Sequence, residues 1–275
     1  MDKAALCVGI NEFKYLPQSS WLHGCVNDAE DLAGLLEGSY GFPGSQITLL
    51  RDAEAGKKAV MAELNKLVDA AVAGNLQHIV FTFSSHGTQI PDTSGDEDDS
   101  LDEAFACHDI NNTGDAWDPD TVISDDELAA AFGRLPEGIL MDVLLDTCHS
   151  GTGLKSLDLI PGRRPRFLPA PTPRAVILNE DLETRTLRDM LKLAKLSTPV
   201  LMAACRSDQT AADALMEGRY NGAFTYNLIK SLRGDGTLAR ADLLKQVSKG
   251  LKAGGFDQVA QLEASRTARK AAWGA

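Results

Sequence analysis

The sequence predicts an α/β fold, a mostly parallel sheet with helices on both faces, and three observations predict it. Short apolar runs alternate with longer helical patterns along the chain. The runs are apolar throughout rather than at every second residue, as in strands covered on both faces. Two of them end abruptly in small and reactive residues, and open α/β sheets collect their functional groups just outside the carboxyl ends of their strands. In chain order, the first strand, Leu6 to Ile10, follows almost directly on Met1-Asp2-Lys3, and a helical pattern runs from about Asp28 to Leu36. Ile47 to Leu50 is the second strand and Lys57 to Val72 the second helix. Ile79 to Phe83 and Val143 to Leu145 are the strands with reactive ends, separated by a helix at Asp125 to Phe132. Val200 to Ala204 completes the strands, followed by helices at Gly222 to Leu232 and Arg240 to Leu251.

With 275 residues and 44% hydrophobic content, the chain can bury one substantial core, and a single domain is expected over 1–275. Two segments break the alternation. Pro91 to Asp120 is crowded with acids, and Gly151 to Thr198 is basic and proline-rich before a short helical piece near Leu182 to Leu196. Both are too long for simple connections. The expected organisation is thus a first part at 1–151, a linker with a short helix at 152–198 and a smaller second part at 199–275. Gly9, Gly24 and Gly34 make no dinucleotide or P-loop fingerprint, which removes the commonest nucleotide-binding reading.

The two reactive strand ends are Ser84-Ser85-His86-Gly87-Thr88-Gln89 and Asp146-Thr147-Cys148-His149-Ser150-Gly151. A thiolate attacks carbonyl carbon well, and a nearby imidazole can take the thiol proton, so Cys148 and His86 form a nucleophile and base pair. Taken alone, a strand-end cysteine is a small buried hydrophobe and a strand-end histidine a structural group. Both in one chain, each followed by small residues, reverse that balance. His149 competes as the base, but neighbouring residues on a strand point to opposite faces, so it reaches its own neighbour's sulfur poorly. No third acid of a triad stands out.

Phe83-Ser84-Ser85-His86-Gly87-Thr88-Gln89 and Asp146-Thr147-Cys148-His149-Ser150-Gly151 resemble the histidine and cysteine motifs of the metacaspases, within the caspase-like clan of cysteine peptidases. Leu22-His23-Gly24-Cys25-Val26-Asn27-Asp28-Ala29 resembles the family's first helix motif. Ala204-Cys205-Arg206-Ser207-Asp208-Gln209-Thr210-Ala211-Ala212-Asp213 resembles the opening of its small subunit. The four fall in the family's order. The resemblance implies a caspase-like three-layer sandwich and a cysteine endopeptidase, with backbone N–H groups at Gly87 and Cys148 holding the oxyanion.

Substrate preference is read from acids. Asp146 lies two residues before Cys148, so on an extended strand it points the same way as the sulfur. Asp28 matches the acid that joins this position in lining the metacaspase S1 pocket, and Cys25 and Ser84 match its other lining residues. Two carboxylates suit a guanidinium or ammonium group, so cleavage after Arg or Lys is expected, with protein or peptide substrates as partners. Alone, Asp28 also reads as a helix N-cap and Asp146 as an acid bonding loop amides.

No cofactor is needed for this chemistry, and calcium is the candidate activator. Asp92, Asp96, Glu97, Asp98, Asp99, Asp102 and Glu103 are hard oxygen donors, although a solvated acid run has the same composition. The resemblance singles out Asp102, Asp125 and Asp126 as matches to calcium ligands. The family's fourth acid falls on Lys155, with Asp158 as a nearby substitute.

Five cysteines without CxxC spacing point to a reducing cytoplasm. The amino terminus reads as neither a secretory signal nor a prodomain. No apolar run approaches 18 residues, and the net charge of -12 disfavours nucleic acid and anionic membrane as partners. Self-processing is expected in the linker, where Arg166, Arg174 and Lys155 stand among prolines in a segment predicted to be exposed and extended. The alternative reading is a catalytically silent caspase-like module that binds partners.

Overall fold

The computed structural model describes residues 2–91, 101–148, 162–171, 199–207 and 209–274. In chain order the first elements are β1 (Lys3–Gly9), α1 (Cys25–Tyr40), β2 (Ile47–Arg51), α2 (Lys57–Val72) and β3 (His78–Ser84). Then come β4 (Gly87–Pro91), β5 (Leu101–Ala106), β6 (Asn112–Thr113), β7 (Ala116–Trp117), β8 (Val122–Ser124), α3 (Asp125–Phe132) and β9 (Leu140–Asp146). The remainder comprises β10 (Arg163–Pro165), β11 (Pro199–Ala203), β12 (Ala212–Met216), β13 (Arg219–Gly222), α4 (Ala223–Gly234), α5 (Arg240–Ala253), β14 (Gln261–Glu263) and α6 (Arg266–Lys270).

Among the described residues the central sheet has six strands in the order β14-β11-β9-β3-β1-β2. Every pairing is parallel except that of the edge strand β14 with β11. Because side chains alternate across a strand, the strands divide their apolar residues between two cores. Leu6, Val8, Ile79, Phe81, Met141 and Val143 pack with Val60, Leu64 and Val68 of α2 and Leu128 and Phe132 of α3. Ala5, Cys7, Val80, Leu144, Val200 and Met202 face the other way, onto Leu32 and Leu36 of α1, Phe224 and Leu228 of α4, and Leu243 and Val247 of α5. The result is the predicted three-layer α/β sandwich. Burial on both faces is why the strand sequences are apolar without alternation.

Local chemistry accounts for the element ends. Ser124 accepts from the Glu127 N–H while the Glu127 carboxylate accepts from the Ser124 N–H, a capping box that starts α3 at the predicted residue. Helix α2 also matches its predicted bounds, its first amide donating to Asp109 Oδ1 at 2.9 Å. Helix α1 begins earlier than the apolar pattern alone predicts, with Gly24 at its N-cap. Asp28 therefore lies inside the first turn, and the N-cap reading of that residue is corrected.

The acid-rich segment is more structured than its composition predicts. Strands β4, β5 and β8 form a three-stranded antiparallel sheet. A second small sheet, β10-β12-β13, was equally invisible to apolar patterning. Its β12-β13 hairpin turns through Glu217 and Gly218, with φ of 51° and 90°, the primed-turn geometry that suits hairpin twist.

A buried ion cluster sits near the amino end of β9. Asp142 accepts from Arg240 Nε and Nη2, both at 2.8 Å, and lies 3.0 Å from His78 Nε2. Burial pushes the Asp142 carboxyl upward, but the hydrogen bonds from His78 and Arg240 leave it below its usual range. The cluster joins β3, β9 and α5.

Candidate active site

Strands β3 and β9 are neighbours, with Ser84 in register with Asp146. His86 and Cys148 each lie two residues beyond that pair, so the register carries the two predicted reactive residues to the carboxyl ends of adjacent strands. His86 Nε2 lies 2.7 Å from the Ser20 carbonyl, and the ring packs against Phe13 with centroids 5.2 Å apart. A carbonyl can only accept, so the proton resides on Nε2 and Nδ1 carries the free lone pair. Nδ1 is buried and has no hydrogen-bond partner. Burial lowers the His86 pKa to about 4, the Ser20 hydrogen bond opposing it, which leaves a neutral imidazole able to accept a proton. The Cys148 thiol is buried and meets the Gln209 carbonyl. Sequence reasoning sought a third acid; the group orienting His86 is instead a main-chain carbonyl, which no side-chain motif reveals.

Arg166 occupies the space in front of this pair. Its carbonyl oxygen accepts from the Gly87 N–H at 2.9 Å and the Cys148 N–H at 3.2 Å, while its own N–H donates to Ala211 O at 2.9 Å. Its guanidinium is fully buried among three carboxylates. Nη2 lies 2.7 Å from Asp28 Oδ2 and 3.0 Å from Asp213 Oδ1, and Nη1 lies 3.2 Å from Asp146 Oδ1. Nη1 also donates to the Asp146 carbonyl at 3.1 Å.

Each acid is held by other donors. Asp28 Oδ1 accepts from Asn221 Nδ2 and the Gly222 N–H, both at 3.0 Å. Asp146 Oδ2 accepts from Thr225 Oγ1 at 2.7 Å and the Thr225 N–H at 3.0 Å. Asp213 accepts from the His23 and Gly24 N–H groups at 2.8 and 2.9 Å. Gly222 is required here, because a Cβ would stand 2.1 Å from Asp146 Oδ2 and 2.7 Å from Arg166 Nη1.

Of the other predicted lining residues, Cys25 opens α1 three residues before Asp28 and is fully buried. Burial pushes its thiol well up, the nearby Arg166 charge opposing it. Ser84 is buried beside Asp146. Burial raises the Asp28 carboxyl to about 7, with the Arg166 charge pulling it down and the Asp146 charge adding to the rise. Asp213 was not separated by sequence reasoning, although it closes the quoted small-subunit motif. The predicted exposure of the linker is corrected at 166–168. The chain there is extended but buried, with Arg166 fully covered and Phe167 and Leu168 at 7% and 8% exposure.

Asp102, on β5, and Asp125, at the start of α3, are both buried, and Asp126 follows Asp125 in the first turn of that helix. Among the described residues no group of three His, Cys, Asp or Glu side chains could hold a metal ion, so these three do not by themselves form a calcium cage. Lys155, Asp158, Arg174, His149, the helical piece near Leu182 to Leu196 and the acids from Asp92 to Asp99 lie outside the described residues. The five cysteines are free, and no described helix is long and apolar enough to cross a membrane.

Residues 3–157 match the family model described as metacaspase, peptidase C14 domain. The chain belongs to the metacaspase family. Among curated metacaspases, it is 29% identical over 303 residues to Metacaspase-1 of Cryptococcus neoformans var. neoformans serotype D (strain B-3501A), a match covering 96% of this chain and 63% of that protein. It is 26% identical over 299 residues to Metacaspase-1 of Saccharomyces cerevisiae, covering 96% of this chain and 66% of the relative. The chain thus spans about two thirds of the length of these metacaspases. A crystal structure of a Geobacter sulfurreducens protein superposes with a TM-score of 0.69 at 22% identity, covering 99% of this chain and 98% of the other. That likeness concerns the fold.

Proposed function

We propose that this metacaspase-family chain is a cysteine endopeptidase that cleaves after Arg or Lys through Cys148 and His86, and that it processes itself between Arg166 and Phe167. The observation carrying this reading is the seating of Arg166: its cation lies among three acids while its carbonyl oxygen accepts two main-chain N–H groups beside the thiol. A guanidinium alone in that pocket could be structural. A carbonyl aligned on Gly87 N–H and Cys148 N–H at the same time is the posture of a scissile group.

In the proposed reaction the Cys148 thiol turns from Gln209 towards His86, whose Nδ1 takes its proton. The thiolate attacks the carbonyl carbon of the residue in the pocket, and the Gly87 and Cys148 N–H groups hold the oxyanion. Collapse breaks the C–N bond, the departing amine receives the proton from His86 Nδ1, and a thioester to Cys148 remains. Water, deprotonated by the same nitrogen, then releases the acid and restores the thiol. Losing one oxyanion donor typically costs about 100- to 1,000-fold in rate. The Ser20 carbonyl holds the ring through Nε2 and stabilises the imidazolium when Nδ1 is charged.

Calcium enters this reading as an activator bound by Asp102, Asp125 and Asp126 together with acids of the neighbouring run, and no step of the chemistry passes through it. Mass spectrometry of wild type and Cys148→Ala, with fluorogenic Arg, Lys and Asp peptides assayed with and without calcium, tests the whole reading. Wild type cut after Arg166 and turning over Arg peptides, with Cys148→Ala intact and inert, is expected. Wild type that stays full length and inert throughout leaves the silent binding module as the better reading.

A further inference from the structure

The segment that fills the cleft also describes subsites beyond the first. Residues 163–165 run antiparallel to β12 in the register Arg163↔Ala214, Arg164↔Asp213 and Pro165↔Ala212, so Arg163 stands three residues before Arg166, at the P4 position of the bond expected to break. Its half-buried guanidinium is held against the end of α5. Nη1 donates to Gly255 O and Nη2 to Gly254 O, both at 2.7 Å, and its central carbon lies 3.9 Å from the centroid of the Phe256 ring.

Those carbonyls follow directly on α5, with Gly254 at its C-cap and Gly255 at φ 69°. Helix carboxyl ends present unsatisfied carbonyls and the negative end of the macrodipole. The Phe256 face adds a quadrupole that attracts a flat cation, and Phe256 itself is buried, which fixes its orientation. Two carbonyls spaced for the two terminal nitrogens of one guanidinium, above an aromatic face, suit Arg better than Lys: an ammonium cannot stack flat or bridge both oxygens in one plane.

We infer that Gly254, Gly255 and Phe256 form an S4 subsite selective for Arg, so that the substrates this cleft accepts carry a second arginine three residues before the P1 residue. The inference rests on the peptidase reading above and adds to it a preference that the three acids around Arg166 do not determine. It also assigns a binding role to the end of α5, which lies outside the reactive strand ends.

The test uses the full chain and four peptides with one fluorogenic leaving group: Arg-Arg-Pro-Arg, Lys-Arg-Pro-Arg, Leu-Arg-Pro-Arg and Glu-Arg-Pro-Arg. The expected order of kcat/KM follows that sequence, with Arg exceeding Leu by about 5- to 30-fold, and Phe256→Leu is expected to bring that ratio towards one. Cleavage of all four within twofold overturns the S4 assignment while leaving the peptidase reading intact. Turnover of none overturns the peptidase reading. The subsite is then judged without catalysis, from hydrogen exchange in Cys148→Ala with and without Arg163→Leu. The Leu215 amide, which donates to Gly162 O at 3.0 Å, is expected to exchange about 5- to 30-fold faster once Arg163 is lost, and unchanged exchange overturns the assignment.

Discussion

Two concentrations of carboxylate in this chain make an instructive pair. Asp102, Asp125 and Asp126 belong to or adjoin a segment in which acids crowd the sequence, yet among the described residues they assemble no three-ligand group. Asp28, Asp146 and Asp213 are far apart in sequence, come from α1, β9 and β12, and close on one guanidinium within 3.2 Å. Acid density in a sequence thus does not by itself make a binding pocket, which is made by convergence. Each acid of the second set also accepts hydrogen bonds from main-chain or side-chain donors in addition to the cation.

The sharpest break in that comparison is chemical. Cys148→Ala is expected to abolish cleavage, by at least about 1,000-fold in kcat/KM, while leaving Arg166 seated among its acids and the thermal midpoint near that of wild type. Retained cleavage at the wild-type rate would remove Cys148 from the mechanism.

Next comes the pocket itself. Arg166→Gln leaves three buried carboxylates facing a neutral group, and breaking such a cluster is expected to cost about 3 to 5 kcal/mol in urea unfolding. The corresponding loss for Asp126→Asn is expected to stay within about 1 kcal/mol. Equal losses would erase the distinction between the two sets. In matched assays, Asp28→Asn and Asp146→Asn are expected to lower turnover of Arg peptides selectively.

A pH series reads the same cleft. The folded His86 pKa is depressed from 6.5 to about 4, so between those values the unfolded chain binds the extra proton. Stability from this group is present above about 6.5 and is lost as pH falls through about 4, by at most about 3.5 kcal/mol at about 1.36 kcal/mol per pH unit. Asp28, raised from 3.8 to about 7, acts oppositely: its contribution is present below 3.8 and is lost as pH rises through about 7. The difference between wild type and His86→Gln separates the two, and an identical pH dependence in both would show that His86 does not titrate in this way. The smallest expected effect is calcium binding. Calorimetry at millimolar calcium is expected to give heat that Asp126→Asn weakens and Asp28→Asn does not, and identical traces in all three proteins would remove calcium from the acid-run side.

Much of the fold was legible because burial on both sheet faces forces uninterrupted apolar strands, and because the Ser124 and Glu127 capping box marks a helix start in four letters. The strand-end placement of His86 and Cys148 was legible for a related reason, as polar side chains standing at the ends of such runs. Strands β5, β12 and β13 were not. Strand β5 buries Asp102 and Glu103, β12 carries Asp213 and β13 reads Arg219-Tyr220-Asn221-Gly222, so composition places them among loops. The seating of Arg166 was hidden for a physical cause: arginine and proline read as solvent-exposed, and a buried guanidinium is affordable only where carboxylates from distant segments meet, which is a tertiary fact. Asp213 and the Ser20 carbonyl were missed for the same reason.

The Asp142 cluster has a consequence for a chain severed at Arg166. Arg240 lies on one side of that bond, and Asp142 and His78 lie on the other, yet they meet in a site with at most 1% side-chain exposure. Strand β9 pairs with β11 across the same divide, from Met141↔Pro199 to Leu145↔Ala203. A nicked molecule would therefore travel as one particle on a native sizing column and as two bands under denaturing conditions. Its halves would be joined along the whole β9–β11 ladder and at the buried Asp142 cluster near the amino end of β9.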